Sequence, residues 1–239
     1  MITKILTAFV PLAAIACLDA SALLAAGVHV PYVPDGLSPG DKYHVVFMSE
    51  GGRTATSSDI SDYNAFVTSE AERVGAITEN WGIDWFAIGS TSTVNARDNA
   101  VVSGPVYMLR EVNGDFPIVT ALVANDAADM WDGATFVPLT VDQFGNRPST
   151  IPFVWTGSQS NGRRYPSLGG LPDSPLGASL PRIGRPAPRD DWLDSGSNST
   201  QIARPLYALS EVLTVVPEPT SSLLLCGSGL LTCLRRRRS

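Results

Sequence analysis

Val154-Trp155-Thr156-Gly157-Ser158, with Asn161-Gly162-Arg163-Arg164 close behind, is the stretch on which the fold turns. Phe153-Val154-Trp155 is rich in β-formers and reads as a short strand, which makes Trp155 a core residue. Asn161-Gly162 reads as a turn, so Arg163 and Arg164 present two fixed guanidinium donors beside it. Such donors suit the carboxylate or sulfate groups of a polysaccharide, and they equally suit ion pairs with nearby Asp or Glu.

Working outward, Lys42 to Met48 (KYHVVFM) is a β-rich run. Ser57 and Ser58 offer an N-cap, and Ile60, Tyr63, Phe66, Val67, Ala71 and Val74 then recur at helical spacing, with Gly75 as terminator. Trp85 to Ile88 and Val106 to Leu109 read as short strands. Asp126 to Trp131 reads as a short acidic helix, with Asp126 as N-cap and Gly133 as its close. Ser167 to Pro188, rich in Pro, Gly and Ser, reads as a long irregular loop, and Leu206 to Val215 as one final strand. No internal repeat and no second boundary is visible. The expected class is α+β, one domain over residues 23–215.

The order of these pieces resembles the endostatin-type domain at the C-terminal end of certain collagens, a branch of the C-type-lectin-like fold. There too a V-W-x-G-S stretch is followed by Gly-Arg-Arg, and a strand near the end pairs with the first. The resemblance spans roughly Tyr43 to Val215 and is close residue by residue over Val154 to Arg164. It implies a glycan-facing surface in which Arg163 and Arg164 match arginines that contact sulfated chains. The departures are equally specific. The family's disulfides have no counterpart here. Its zinc histidines are missing, since only His29 and His44 occur. Neither a Glu-Pro-Asn nor a Gln-Pro-Asp calcium tripeptide is present, nor Trp-Asn-Asp.

Both ends carry targeting signals. Lys4, the apolar run Ile5 to Ala16 and Ala20-Ser21-Ala22 form a signal peptide over residues 1–22. Residues 216–239 hold Val216-Pro217-Glu218-Pro219, an apolar stretch to Leu234, and the cluster Arg235, Arg236, Arg237 and Arg238. The prolines fix an extended segment that a protease can grip. The 16 residues from Pro219 to Leu234 give a helix of roughly 24 Å, short for a bilayer core but tolerated by thinning and snorkelling. The arginines stop transfer at the cytoplasmic side. This tail resembles the PEP-CTERM signal of bacteria that make exopolysaccharide. The resemblance implies a membrane-anchored precursor, held by its C-terminal helix, whose partner is an exosortase that processes it for the cell surface or extracellular matrix.

Cys17, Cys226 and Cys233, all the cysteines of the chain, lie in these two end segments, so the domain between them has no disulfide or thiol chemistry. Setting aside Lys4, Arg235–Arg238, Asp19 and Glu218 from 17 basic and 23 acidic residues leaves 12 and 21, a net charge of −9 over residues 23–216. That balance argues against nucleic acid as partner and is compatible with divalent cations or neutral glycans.

Three further groups carry candidate chemistry. Asn95, Asp98 and Asn99 place three oxygen-bearing side chains within five residues, a set calcium could use; the same residues commonly hydrogen-bond a loop backbone. Asp126, Asp129 and Asp132 lack the alternation of an EF-hand and read as a solvated helix face. Trp192, flanked by Asp190, Asp191 and Asp194, could face a sugar or anchor the end of the long loop. For catalysis the sequence lacks a G-x-S-x-G elbow, an H-E-x-x-H pair and a P-loop, and no cofactor is implied beyond the calcium alternative. The expected role is structural or adhesive, with extracellular polysaccharide or other surface proteins as partners. A glycan-binding module with calcium and a surface hydrolase are the alternatives.

Overall fold

The structure, a computed structural model, describes residues 33–109, 121–165, 174–186 and 191–216. The signal peptide, Pro217-Glu218-Pro219, the apolar run after them, Arg235–Arg238 and Asp190 lie outside the described residues. Val216, half-exposed, is the last described position.

Strand β1 (Lys42–Met48) is the centre of the molecule. Because side chains alternate along a strand, Tyr43, Val45 and Phe47 enter one apolar cluster while Val46 and Met48 enter another. Burial on both faces explains why this segment reads as a nearly unbroken apolar run. Helix α1 (Ile60–Ala71) covers the first face with Tyr63, Val67 and Ala71. Its cap is Asp59, whose carboxylate accepts the Ser61 N–H at 2.9 Å, rather than Ser57 or Ser58. Ser57 instead accepts the Asp59 N–H one step earlier. Val74, expected on the apolar stripe, lies beyond the helix end and is exposed.

Strands β2 (Trp85–Ala87), β3 (Val106–Met108) and β4 (Leu122–Ala124) and helices α2 (Ala96–Asn99) and α3 (Ala127–Met130) follow. Then come β5 (Val154–Trp155), β6 (Arg182–Gly184), β7 (Gly196–Ser197), β8 (Tyr207–Ser210) and β9 (Leu213–Thr214). The main sheet runs β2-β8-β1-β3-β4, with β9 also on β1, and β5-β6-β7 form a smaller one. Only β1 and β3 are parallel in the main sheet. The mixed composition, with two sheets and short helices, is compatible with α+β.

Two expectations need correction. Leu206 to Val215 is not one strand. β8 pairs Val46 with Leu209 and β9 pairs Tyr43 with Leu213, which leaves one extra residue on the later strand. The bulge falls at Glu211 and Val212, where the Glu211 N–H still continues the ladder with β2 by donating to Asp84 O at 2.9 Å while the pairing with β1 shifts by one residue. The segment Ser167 to Pro188 is not wholly irregular either. β6 lies inside it, paired with both β5 and β7. Among the described residues no helix is long and apolar enough to cross a membrane.

Candidate functional site

The V-W-T-G-S stretch and the loop after β2 are stitched together by two hydroxyls. Ser158 donates to Thr156 O at 2.8 Å, Ser90 therefore donates to Ser158 Oγ at 2.8 Å, and Ser90 Oγ accepts the Ala96 N–H at 2.8 Å. Both hydroxyls are buried and both are satisfied, so α2 is held at a fixed height beside the 157–164 turn. A second clasp is Asn95, whose side-chain oxygen accepts the Arg164 N–H at 2.9 Å. A third is the Arg97 N–H, which donates to Gly162 O at 3.2 Å.

The turn has a floor. Gly162, with φ of 71°, lies flat on Trp131, and a Cβ there would sit 2.5 Å from the indole ring. Trp131 stacks on Trp192 at 6.0 Å between centroids, and Trp192 meets Tyr207 of β8 at 5.8 Å. The aromatic column ties the turn to the main sheet. Trp192, fully buried, is a core anchor and offers no face to a sugar. Trp155, also fully buried, is core as expected.

Between α2 and the turn lies a hollow of about 540 Å³ lined by Asn95, Arg97, Gln159, Asn161, Arg163 and Arg164. Its backbone is fixed. Asn161 accepts the Arg163 N–H at 3.0 Å, and Gln159 donates its side-chain amide to Arg164 O at 3.1 Å. Its charges are not consumed. Arg164 reaches Ser92 O, a neutral acceptor. Arg163 is exposed and its guanidinium has no partner among the described residues. Arg97 lies 3.9 Å from the exposed Asp98 carboxylate, a contact of little weight in water. The lining is guanidinium and amide throughout, with no group that titrates near neutrality. Such a lining binds anionic groups by paired, charge-assisted hydrogen bonds; it has no general base with which to react.

Asn95, Asp98 and Asn99 sit not on an open loop but at and within α2, and they do not converge. Asn95 donates to Asp98 at 2.5 Å, while Asn99 turns away to β2. There Asn99 and Asn64 form a cyclic amide pair, each donating to the other at 2.9 Å. Asn64 also accepts the Ala87 N–H at 2.9 Å, and Asn99 donates to Ala87 O at 2.8 Å. The Asp126, Asp129 and Asp132 carboxylates are spent on local backbone N–H groups, Asp126 as the α3 cap. Asp194 pairs with Arg182, whose guanidinium lies over Tyr165 at 4.4 Å. No group of three or more His, Cys, Asp or Glu side chains that could hold a metal occurs among the described residues.

Arg163, Arg164 and Asn95 were readable as candidates from sequence, and the fold brings them to one hollow. Arg97, Gln159 and Asn161 were not singled out. Arg97 stands in the middle of the Asn95–Asn99 segment, and its place among polar side chains there was the available signal. No protein-family model matches the chain, and no curated protein is significantly similar to it.

Proposed function

We propose that this protein is an exosortase-processed export product that serves at the cell surface or in the exopolysaccharide matrix as a structural and adhesive module, with no catalysis of its own. The domain, on this reading, is an endostatin-type member of the C-type-lectin-like fold. Helix α1 directly after β1, and the pairing of β1 with both closing strands, support that reading. Export is supported by the leader at 1–22 and by the Pro-Glu-Pro, apolar and Arg235–Arg238 sequence of the tail.

The adhesive contact is the arginine hollow. In a span with an excess of 9 acidic residues over basic ones, three guanidinium groups rim one space and make no strong ion pair there. Carboxylate- or sulfate-bearing polysaccharide is the ligand class that this chemistry fits, with the amides of Asn95, Gln159 and Asn161 left for sugar hydroxyls. The engagement of both ring nitrogens of His44 supports the absence of Ser-His-Asp chemistry.

The binding test is retention on an immobilised polyuronate. Replacing Arg97, Arg163 and Arg164 together by Ala should lower retention at least about tenfold, since each charge-assisted bond contributes about 1.5–3 kcal/mol before screening. Retention should also fall with salt and be indifferent to a chelator. Equal retention of the triple variant would sink the adhesive assignment. For export, intact mass of protein recovered from the cell surface should end near Pro217 to Pro219. Replacing Pro217-Glu218-Pro219 by Ala-Ala-Ala should leave full-length protein in the membrane fraction, and normal release of that variant would remove the exosortase.

A further inference from the structure

His44 is the one histidine among the described residues, and it is almost wholly buried at 1% exposure. Its Nδ1 lies 2.9 Å from Ser210 O, a carbonyl that can only accept, so Nδ1 carries the proton. Its Nε2 accepts the Ser103 N–H at 3.0 Å. The ring therefore joins β1, β8 and the segment between α2 and β3 in its neutral form. It also forms part of a second hollow of about 290 Å³, with Phe86, Asn99, Val101 and Val212 as walls. Val101 and Val212 are exposed, so protons reach the ring from solvent.

We propose that His44 is an acid-operated latch: protonation at Nε2 frees the Ser103 amide and loosens the segment 100–104, and through Asn99 and α2 the arginine hollow. A protonated ring presents N–H at both nitrogens. Nε2 would then aim a donor at the Ser103 N–H, so that amide bond is lost and the Ser103 hydroxyl, 3.4 Å away, becomes the acceptor for the charged ring. The segment belongs to no strand or helix; its far end is fixed to β1, where the His44 N–H donates to Pro105 O at 2.9 Å, and Gly104 lies so close to Lys42 O that a Cβ would sit 2.7 Å from it. Release is passed on by contiguity. Ala100 N–H bonds Ala96 O at 2.8 Å, Asn99 links α2 to β2, and Arg97 and Asn95 line the arginine hollow.

The charged groups around the ring are few. Glu211, from the bulge between β8 and β9, lines the same hollow, and it is its main-chain group, like that of Ser210, that favours the charged ring. Lys42 lies two residues earlier on β1, on the same face by alternation, and opposes it. β2 contributes Phe86, α2 contributes Asn99 and β3 contributes Val106, none of which titrates. Burial is the dominant influence and holds the imidazole below its ordinary 6.5, so the latch is shut at neutral pH. Below pH 6.5 the unfolded chain binds the proton more readily, so stability falls as pH drops through that value toward the lower folded one.

The consequence for binding rests on the polysaccharide reading; the latch itself does not. The test is hydrogen exchange of the mature protein between pH 7.5 and 5, corrected for intrinsic rates. The Ser103 amide should lose at least about tenfold in protection while Val46 and Leu209 amides in the sheet keep theirs. His44→Gln, whose amide donates and accepts at every pH, should abolish the dependence. Unchanged Ser103 protection in the wild type, or the same loss in His44→Gln, overturns the latch. Retention on polyuronate at the two pH values reads the coupling, and wild-type retention unaltered by pH while Ser103 opens would overturn that part. Should nothing be retained at either pH, the polysaccharide reading fails and Ser103 exchange still decides the latch.

Discussion

Gly157→Ala is expected to cost at least about 3 kcal/mol and to lower the melting temperature by roughly 10 °C, if the variant folds at all. Two penalties add at this position. The backbone has φ of 59°, a region in which a side chain costs roughly 1–2 kcal/mol. A Cβ would also stand 2.4 Å from Ser90 O and 2.5 Å from Leu176 N. Those are backbone atoms of two different segments, and neither can swing aside. Both make hydrogen bonds that define the site: the Leu176 N–H donates to Ser90 O at 2.8 Å, and the Ser90 N–H donates to Thr156 O at 2.8 Å. Gly82 is the matched control, since its φ of 65° is similar and nothing lies within 4 Å of a Cβ. Gly82→Ala should lose only the dihedral part, about 1 kcal/mol. Thermal unfolding of the two variants separates contact from conformation. Equal losses would mean that the three segments do not meet as closely as described.

Trp155→Ala should destabilise by about 3–5 kcal/mol, the range for emptying a fully buried large aromatic site. The ring is not only filler. Its Nε1–H is shared between Arg53 O at 3.0 Å and Ile202 O at 3.2 Å, carbonyls from opposite ends of the chain. Trp155→Phe retains most of the apolar contact but strands Ile202 O, while Arg53 O keeps the Arg204 N–H at 3.0 Å, and should lose about 1–3 kcal/mol. Denaturant unfolding should rank wild type above Phe and Phe above Ala. A Phe variant as stable as wild type would show that Ile202 O is satisfied without the indole, and that packing alone fixes this position.

What could be read in advance followed from burial pattern. β1 was legible because a strand covered on both faces must be largely apolar, and Tyr43–Met48 is, with His44 the one exception. α1 was legible from its stripe, although Val74 extended the pattern past Ala71, where the helix stops. β6 was hidden because three residues among Pro, Gly and Ser carry no period; they are held by pairing with β5 and β7, which sequence does not record. The break between β8 and β9 was hidden for a related reason. Leu206 to Val215 is uniformly β-prone, and only the one-residue shift in its register against β1, between Leu209 and Leu213, splits it. In the site, Arg163 and Arg164 stood out as neighbours. Arg97 did not, because its place opposite them is set by Ser90, Ser158 and Asn95 acting through the fold. Asn99 was grouped with Asn95 and Asp98 by proximity, but one turn of α2 sends it to the other side.

That turn of Asn99 has a bearing on how the protein behaves in bulk. β2 is an outermost strand of the main sheet, and such a rim invites other molecules to extend it by one more strand. At Ala87 both main-chain groups are already occupied sideways by the Asn64 and Asn99 amides, which mimic a neighbouring strand one residue long. A newcomer would have to displace two amides that satisfy each other before gaining its first ladder bond. That edge is thereby blocked to strand addition at Ala87 by side chains of the protein itself.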